Sequence, residues 1–186
     1  FDVSVTGTTQ TTGVPIPVNV TARDALGNVV TALSDTASFT IRATASVSKN
    51  LLGSLVTHST PAAFIGTTLG YSFTPSQDLV VTHVRHYFGT KVSLWTEAGS
   101  LLASQNVTST PGSWVETPLA APVTLLAGTS YRVGVFVPAG NTYYLRGTQP
   151  AAAPFGAIAL PYWAFTDGFP SIFNSQAWPM VDLKFT

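Results

Sequence analysis

Few side chains in this sequence could carry chemistry. It holds three histidines and eight carboxylates and no cysteine. His83 and His86 stand three apart on a predicted strand, so they point to opposite faces, a spacing that suits a helical metal site instead. His58 has no acidic neighbour, and without cysteine a zinc site needs histidine and carboxylate together. Glycoside hydrolysis needs two carboxylates across a cleft, roughly 5–10 Å apart. Glu97 falls in a hairpin turn, Asp182 on the outward face of the closing strand, and Glu116 beside Trp114 reads as a solvated face position. Asp24 and Asp167-Gly168 lack the acidic neighbours of a calcium loop and read as turn formers. Ser130 follows Gly128 in a turn with no nucleophile elbow. Nucleophile, base and orienting group do not converge, so neither an enzyme nor a metal or cofactor is expected.

The aromatic residues carry the binding signal. Trp95 and Trp114 lie in predicted strands and read as core. Tyr143-Tyr144 and the run Pro161-Tyr162-Trp163-Ala164-Phe165 straddle loop-like sequence. Consecutive residues of an extended chain point both ways, so one of each pair tends outward. Tyr143, Tyr144, Tyr162, Trp163 and Trp178 are therefore the candidate binding residues, for stacking on sugar rings or anchoring a protein interface. The competing reading is a long final loop, Gly147 to Trp178, that folds over the body and buries them.

These groups need a framework, and the composition limits it. Of 186 residues only 9% are charged, eight basic against eight acidic, while 45% are hydrophobic. Polarity comes from 27 Thr and 17 Ser. Balanced charge leaves no footprint for nucleic acid, and disorder would need low hydrophobicity with high net charge. A disulfide scaffold is excluded. No stretch approaches the roughly 20 apolar residues of a membrane-spanning helix. The chain opens Phe1-Asp2-Val3-Ser4 without Met or a basic-then-apolar leader, which implies a processed product or a piece of something longer.

Helix signals are almost absent, and short β-branched runs punctuated by Gly, Pro, Asn and Asp recur throughout. Strands are predicted at Asp2–Thr6, Val14–Ala22, Val29–Ala32 and Ala37–Ala43. After a junction with an optional strand at Leu52–Val56, they follow at Leu69–Phe73, Leu79–Phe88, Lys91–Thr96 and Ser100–Gln105. The last are Trp114–Glu116, Val123-Thr124, Ser130–Val137, Thr142–Arg146 and Met180–Phe185. This spacing predicts an all-β chain, an antiparallel β-sandwich of jelly-roll or Ig-like type. A four-stranded segment over 1–45 precedes a junction at 46–63 and the sandwich proper at 64–186. In Gly128-Thr129-Ser130-Tyr131 a glycine turn precedes a tyrosine whose hydroxyl can fold back onto upstream backbone. Gly128, Tyr131, Trp95 and Trp114 are thus structural candidates.

Several stretches also resemble a known family. Val92-Ser93-Leu94-Trp95, Ala98-Gly99-Ser100-Leu101-Leu102-Ala103 and Leu125-Leu126-Ala127-Gly128-Thr129-Ser130-Tyr131 recur in that order in a bacterial extracellular β-sandwich domain of unknown function. Leu69-Gly70-Tyr71-Ser72-Phe73-Thr74 and Val84-Arg85-His86-Tyr87 fit its first strands. Phe169-Pro170 and Val181-Asp182-Leu183-Lys184-Phe185 fit its close. The resemblance covers about residues 54–186; the usual Asn-aromatic-Trp before the closing strand is replaced by Ala177-Trp178-Pro179-Met180. Asn19 to Thr31 is similar to a strand–turn–strand unit of bacterial Ig-like repeats. An Ig-like domain needs about seven strands, so a four-stranded piece implies completion by a neighbour. The implied role is a non-catalytic module at an extracellular, cell-surface or virion surface. It would serve display, adhesion or assembly, with neighbouring domains or copies of itself as partners. The alternative is a carbohydrate-binding module attached to a polysaccharide-active enzyme, with glycans as partners.

Overall fold

A computed structural model describes residues 2–5, 18–31, 49–52, 61–62, 65–147, 155–174 and 178–186. The chain divides into two compact units, Phe1–Thr44 and Ala45–Thr186. In the first, strands β1 (Asp2–Val5) and β2 (Val18–Thr21) pair antiparallel, with Val3 opposite Val20. Beyond β2 a bridge between Arg23 and Val29 closes a turn. Asp24 organises it by accepting from the backbone N–H groups of Leu26 and Asn28, both at 2.9 Å, and from the Asn28 amide. Gly27 at φ +86° takes the left-handed position, where a side chain would be strained. The expected strand Ala37–Ala43 and the start of Val14–Ala22 lie outside the described residues.

The second unit is an antiparallel β-sandwich without helix among the described residues. Its strands are β3 (Lys49–Asn50), β4 (Thr67–Pro75), β5 (Leu79–His86), β6 (Lys91–Thr96), β7 (Leu101–Asn106), β8 (Val115–Leu125) and β9 (Tyr131–Val137). They continue as β10 (Leu145–Arg146), β11 (Gly156–Ala164), β12 (Ile172–Phe173), β13 (Trp178–Pro179) and β14 (Val181–Phe185). One sheet runs β12-β11-β4-β9-β6-β7, the other β3-β14-β5-β8, and β10 pairs with β13. Alternation explains the core. Leu69, Tyr71 and Phe73 of β4, Val133, Val135 and Val137 of β9, and Val92 and Leu94 of β6 point inward. They meet Leu79, Val81 and Val84 of β5 and Val181, Leu183 and Phe185 of β14. The Tyr71 hydroxyl donates to the Val181 carbonyl at 3.0 Å, tying the two sheets together through the core. Burial pushes that phenol well above its ordinary pKa.

Four expectations need correction. Residues 147–178 are not one loop, since β11 pairs along β4 inside the larger sheet. Pro161 and Gly156 hide this strand from pattern reading; the pairing shifts between Ile158 and Pro161, where proline's missing N–H is tolerated. The runs at Trp114–Glu116 and Val123-Thr124 are parts of a single strand, β8, whose irregularity opposes Val81–His83. Residues 49–52, expected in the junction, belong to the sandwich through β3. Asp182 does alternate away from the core, yet it is 0% exposed, because the chain at Leu51 and Leu52 covers it.

Candidate functional site

Three connections converge at one end of the sandwich: β5 to β6 (residues 87–90), β7 to β8 (107–114) and β9 to β10 (138–144). They enclose a cleft of about 510 Å³, lined by Gly89, Thr90, Val107, Thr108, Ser109, Pro111, Gly140, Asn141, Thr142 and Tyr144. Gly89, at φ +83°, is required there, since a Cβ would collide with Val135 and the Phe136 carbonyl. Tyr144 is clamped from behind by Tyr87, edge-on at 5.1 Å, and by Phe88 at 5.9 Å. A second, smaller cleft of about 280 Å³ opens beside β4 and β11 of the larger sheet. It is lined by Ala62, Ile65, Thr67, Leu69, Tyr143, Trp163 and Phe165. Tyr143 and Trp163 meet edge-on at 6.2 Å, and Trp163 meets Phe165 at 6.4 Å. Thus Tyr143 and Tyr144, adjacent in an extended segment, line different clefts.

Behind the first cleft lies an arrangement that resembles a catalytic dyad. His86 Nδ1 is 2.7 Å from Ser109 Oγ, and Nε2 is 2.9 Å from Thr117 Oγ1. The serine hydroxyl donates its proton to the Gly89 carbonyl at 2.7 Å. A carbonyl only accepts, so His86 Nδ1–H donates to Ser109 and Nε2 accepts from Thr117. That tautomer holds its proton against the serine, the reverse of a general base. Burial lowers the imidazole pKa to about 4, so it stays neutral.

The carboxylates hold the framework. Asp182 accepts from the N–H groups of Leu51 (3.0 Å), Leu52 (3.1 Å) and Leu183 (2.7 Å), and pairs with Arg85 at 2.5 Å. Burial raises its pKa to about 6, against the pull of Arg85 and the backbone donors. Glu116 takes Lys184 at 2.6 Å, lies 3.4 Å from Arg85, and is held below its ordinary pKa chiefly by Lys184. Glu97 pairs with Arg132, Asp167 with Lys91, and Asp78 accepts from the Ala127 N–H at 2.8 Å. No group of three or more His, Asp or Glu side chains gathers as metal ligands among the described residues.

The sequence candidates scatter accordingly. Tyr143 and Trp163 share the smaller cleft, and Tyr144 lines the larger one. Tyr162 turns to the outer face of the larger sheet, where the Arg132 guanidinium stacks 3.6 Å from its ring centre. Trp178 is buried and donates from Nε1 to the Ala159 carbonyl at 2.8 Å. Trp95 is not in the inter-sheet core: it lies on the outer face over Gly134, edge-on to Phe169 at 5.9 Å. Trp114 packs at the margin of the core, against Tyr87 and under Arg85, 4.6 Å from its ring centre. Gly128 takes φ +72°, and Tyr131 Oη accepts from the Leu126 N–H at 2.8 Å. The hydroxyl and amide residues of the larger cleft, Thr90, Thr108, Asn141 and Thr142, were not candidates. Their only signal is three charge-free, glycine-bearing connections, 87–90, 107–114 and 138–144.

A family model described as "Domain of unknown function (DUF4082)" matches residues 57–170, a span containing every residue that lines either cleft. No curated protein matches the chain.

Proposed function

The chain belongs to the DUF4082 family, and on that premise we propose a non-catalytic β-sandwich module of a larger extracellular, filamentous or virion surface protein, serving display, adhesion or assembly. One observation carries this reading. Asp24, Asp78, Glu97, Glu116, Asp167 and Asp182 each hold a cation or a backbone N–H, and none lines either cleft. The His86–Ser109 pair is polarised against nucleophile activation, which supports the same reading. Both edges of the larger sheet carry exposed apolar side chains, Leu101 (59% exposed) and Leu102 on β7, Ile172 and Phe173 on β12. Such edges favour packing against a neighbour.

A screen with glycoside, ester and peptide substrates tests the reading; no turnover is expected, and turnover abolished by Ser109→Ala would overturn it. The N-terminal unit enters the same proposal as an Ig-like segment completed by a neighbouring domain or chain, supported by its β1–β2 pair and Asp24 turn. Concentration-dependent association in light scattering is expected for either surface, with Leu101→Lys weakening the part that runs through the β7 edge; a strict monomer at high concentration would remove the intermolecular version of both.

A second reading, a carbohydrate-binding module, is favoured by the Tyr143–Trp163–Phe165 cleft, whose open aromatic edge suits stacking. Glycan-array binding lost on Trp163→Ala would support it over assembly.

A further inference from the structure

The larger cleft has chemistry that the aromatic pattern of the sequence does not reveal. It is built from loops at one end of a rigid sandwich, the usual place for recognition on such folds. Its volume of about 510 Å³ lies within the ordinary range of small-ligand sites. No charged side chain lines it among the described residues. The His86 imidazole, behind Ser109, is held neutral by burial. Lys91, next in sequence to Thr90, is engaged by Asp167 on the outer side. Among the described lining residues an anion finds no cation and a cation no carboxylate, whereas uncharged donors and acceptors are plentiful. The occupant is therefore neutral.

The lining also selects for hydroxyl groups. Thr90, Thr108, Asn141 and Thr142 are exposed, and their side chains make no hydrogen bond to the described residues. Hydroxyl and amide groups can each donate and accept, as sugar hydroxyls do. Tyr144 supplies the apolar element. Its ring is fixed by Tyr87 and Phe88, so little entropy is lost when a ligand settles on it. The ring face is negative, and the axial C–H groups of a pyranose carry the complementary partial charge. An apolar peptide segment would leave the hydroxyls unmatched, while a polyol without a C–H face would not use the ring.

We infer that the cleft bounded by Thr90, Thr108, Asn141, Thr142 and Tyr144 is a binding site for a neutral saccharide, with Tyr144 as its stacking platform. The site differs from the Tyr143–Trp163 cleft, and the inference rests on the non-catalytic reading only in that the sugar is bound and released unchanged. Thr90, Thr108, Asn141 and Thr142 are exposed, so the cleft is reached from solvent.

The test is a titration of the 15N-labelled chain with cellohexaose, maltohexaose, mannohexaose and chitohexaose, followed by backbone amide shifts and a parallel assay for new reducing ends. Saturable shifts at Gly89, Thr90, Thr108, Ser109 and Asn141 with one of these sugars, without new reducing ends, are expected. Thr108→Ala and Asn141→Ala, both on exposed side chains, should weaken binding about tenfold each while the rest of the spectrum is preserved. Phe165→Ala should leave binding unchanged. Tyr144→Ala should abolish it, but the ring also packs on Phe88, so the surface variants carry the test. An oligogalacturonate of equal length should bind more weakly than the neutral sugar. Shifts confined to Ile65, Tyr143 and Phe165 would overturn the placement, and no shift with any neutral sugar at millimolar concentration would overturn the site. New reducing ends would leave the site standing and overturn the non-catalytic reading instead.

Discussion

The outer faces of the two sheets solve one problem in different ways. Each carries a buried arginine, Arg85 on the smaller sheet and Arg132 on the larger, and each is closed by a segment from elsewhere in the unit. On the smaller sheet the closing segment is Leu51-Leu52, held by backbone N–H bonds to Asp182, which is itself neutralised by Arg85. On the larger it is the loop through Phe169 and Pro170, held by aromatic rings. Arg132 lies between Tyr162 and Phe169 and donates to the Pro170 carbonyl at 2.6 Å. Gly70 admits this loop, since a Cβ there would press on Pro170. The first clamp depends on a buried charge pair. The second depends on stacking, with Glu97 at the margin and partly exposed. Scarce charge is thus concentrated where it fixes the cover of a sheet, and the loop end of the sandwich is left neutral.

Deleting one charge from the first clamp should have the largest effect. Asp182→Ala should cost about 3–5 kcal/mol, because it leaves Arg85 buried without this partner and Leu51 and Leu52 without acceptors. Arg85→Met with Asp182→Leu should recover much of that loss in chemical denaturation. Arg132→Met should cost roughly 2 kcal/mol, from lost stacking and an unpaired Pro170 carbonyl. Its mark should be local: faster hydrogen exchange at the Gly168 amide, which now bonds Thr68 Oγ1 at 3.2 Å. Tyr131→Phe, which deletes the acceptor for Leu126 N–H while keeping the ring, should cost about 1 kcal/mol. Lys91→Ala, at a partly exposed pair with Asp167, should change stability by about 0–1 kcal/mol.

Acid acts on the first clamp and on the loop end in opposite directions. Asp182 has a folded pKa raised to about 6, so the increment of stability that its protonation adds is fully present below its unfolded value and is lost as pH rises through 6. His86 is depressed to about 4 from 6.5; the unfolded state binds the proton first, so stability falls as pH drops from 6.5 to 4. The two oppose each other over nearly the same range. Thermal midpoints of the wild type should therefore change little between about pH 6.5 and 4.5, whereas those of Asp182→Asn should fall.

Much of the framework was legible in the sequence. Period-two alternation in Leu69–Phe73, Ser130–Val137 and Met180–Phe185 gives the inward faces of β4, β9 and β14, because burial enforces that period. β11 was hidden, since Pro161 and Gly156 are read locally as breakers and only pairing with β4 makes them tolerable. The position of Asp182 on an outward face was readable, but its burial was not, since the cover comes from residues 130 positions away in sequence. The same limit applies at the loop end. That Tyr143 and Tyr144 diverge follows from extended geometry, but the threonines and Asn141 that share a cleft with Tyr144 come from three separate connections.

Whether charge builds the framework while a neutral cleft binds is tested most directly by the sugar-induced shift in melting temperature of Asp182→Asn beside Asn141→Ala. Asp182→Asn should melt lower than the wild type and keep the upward shift produced by the bound hexasaccharide. Asn141→Ala should melt as the wild type does and lose most of the shift. A folded Asp182→Asn protein that has lost the shift, beside an Asn141→Ala protein that keeps it, would contradict this division of labour.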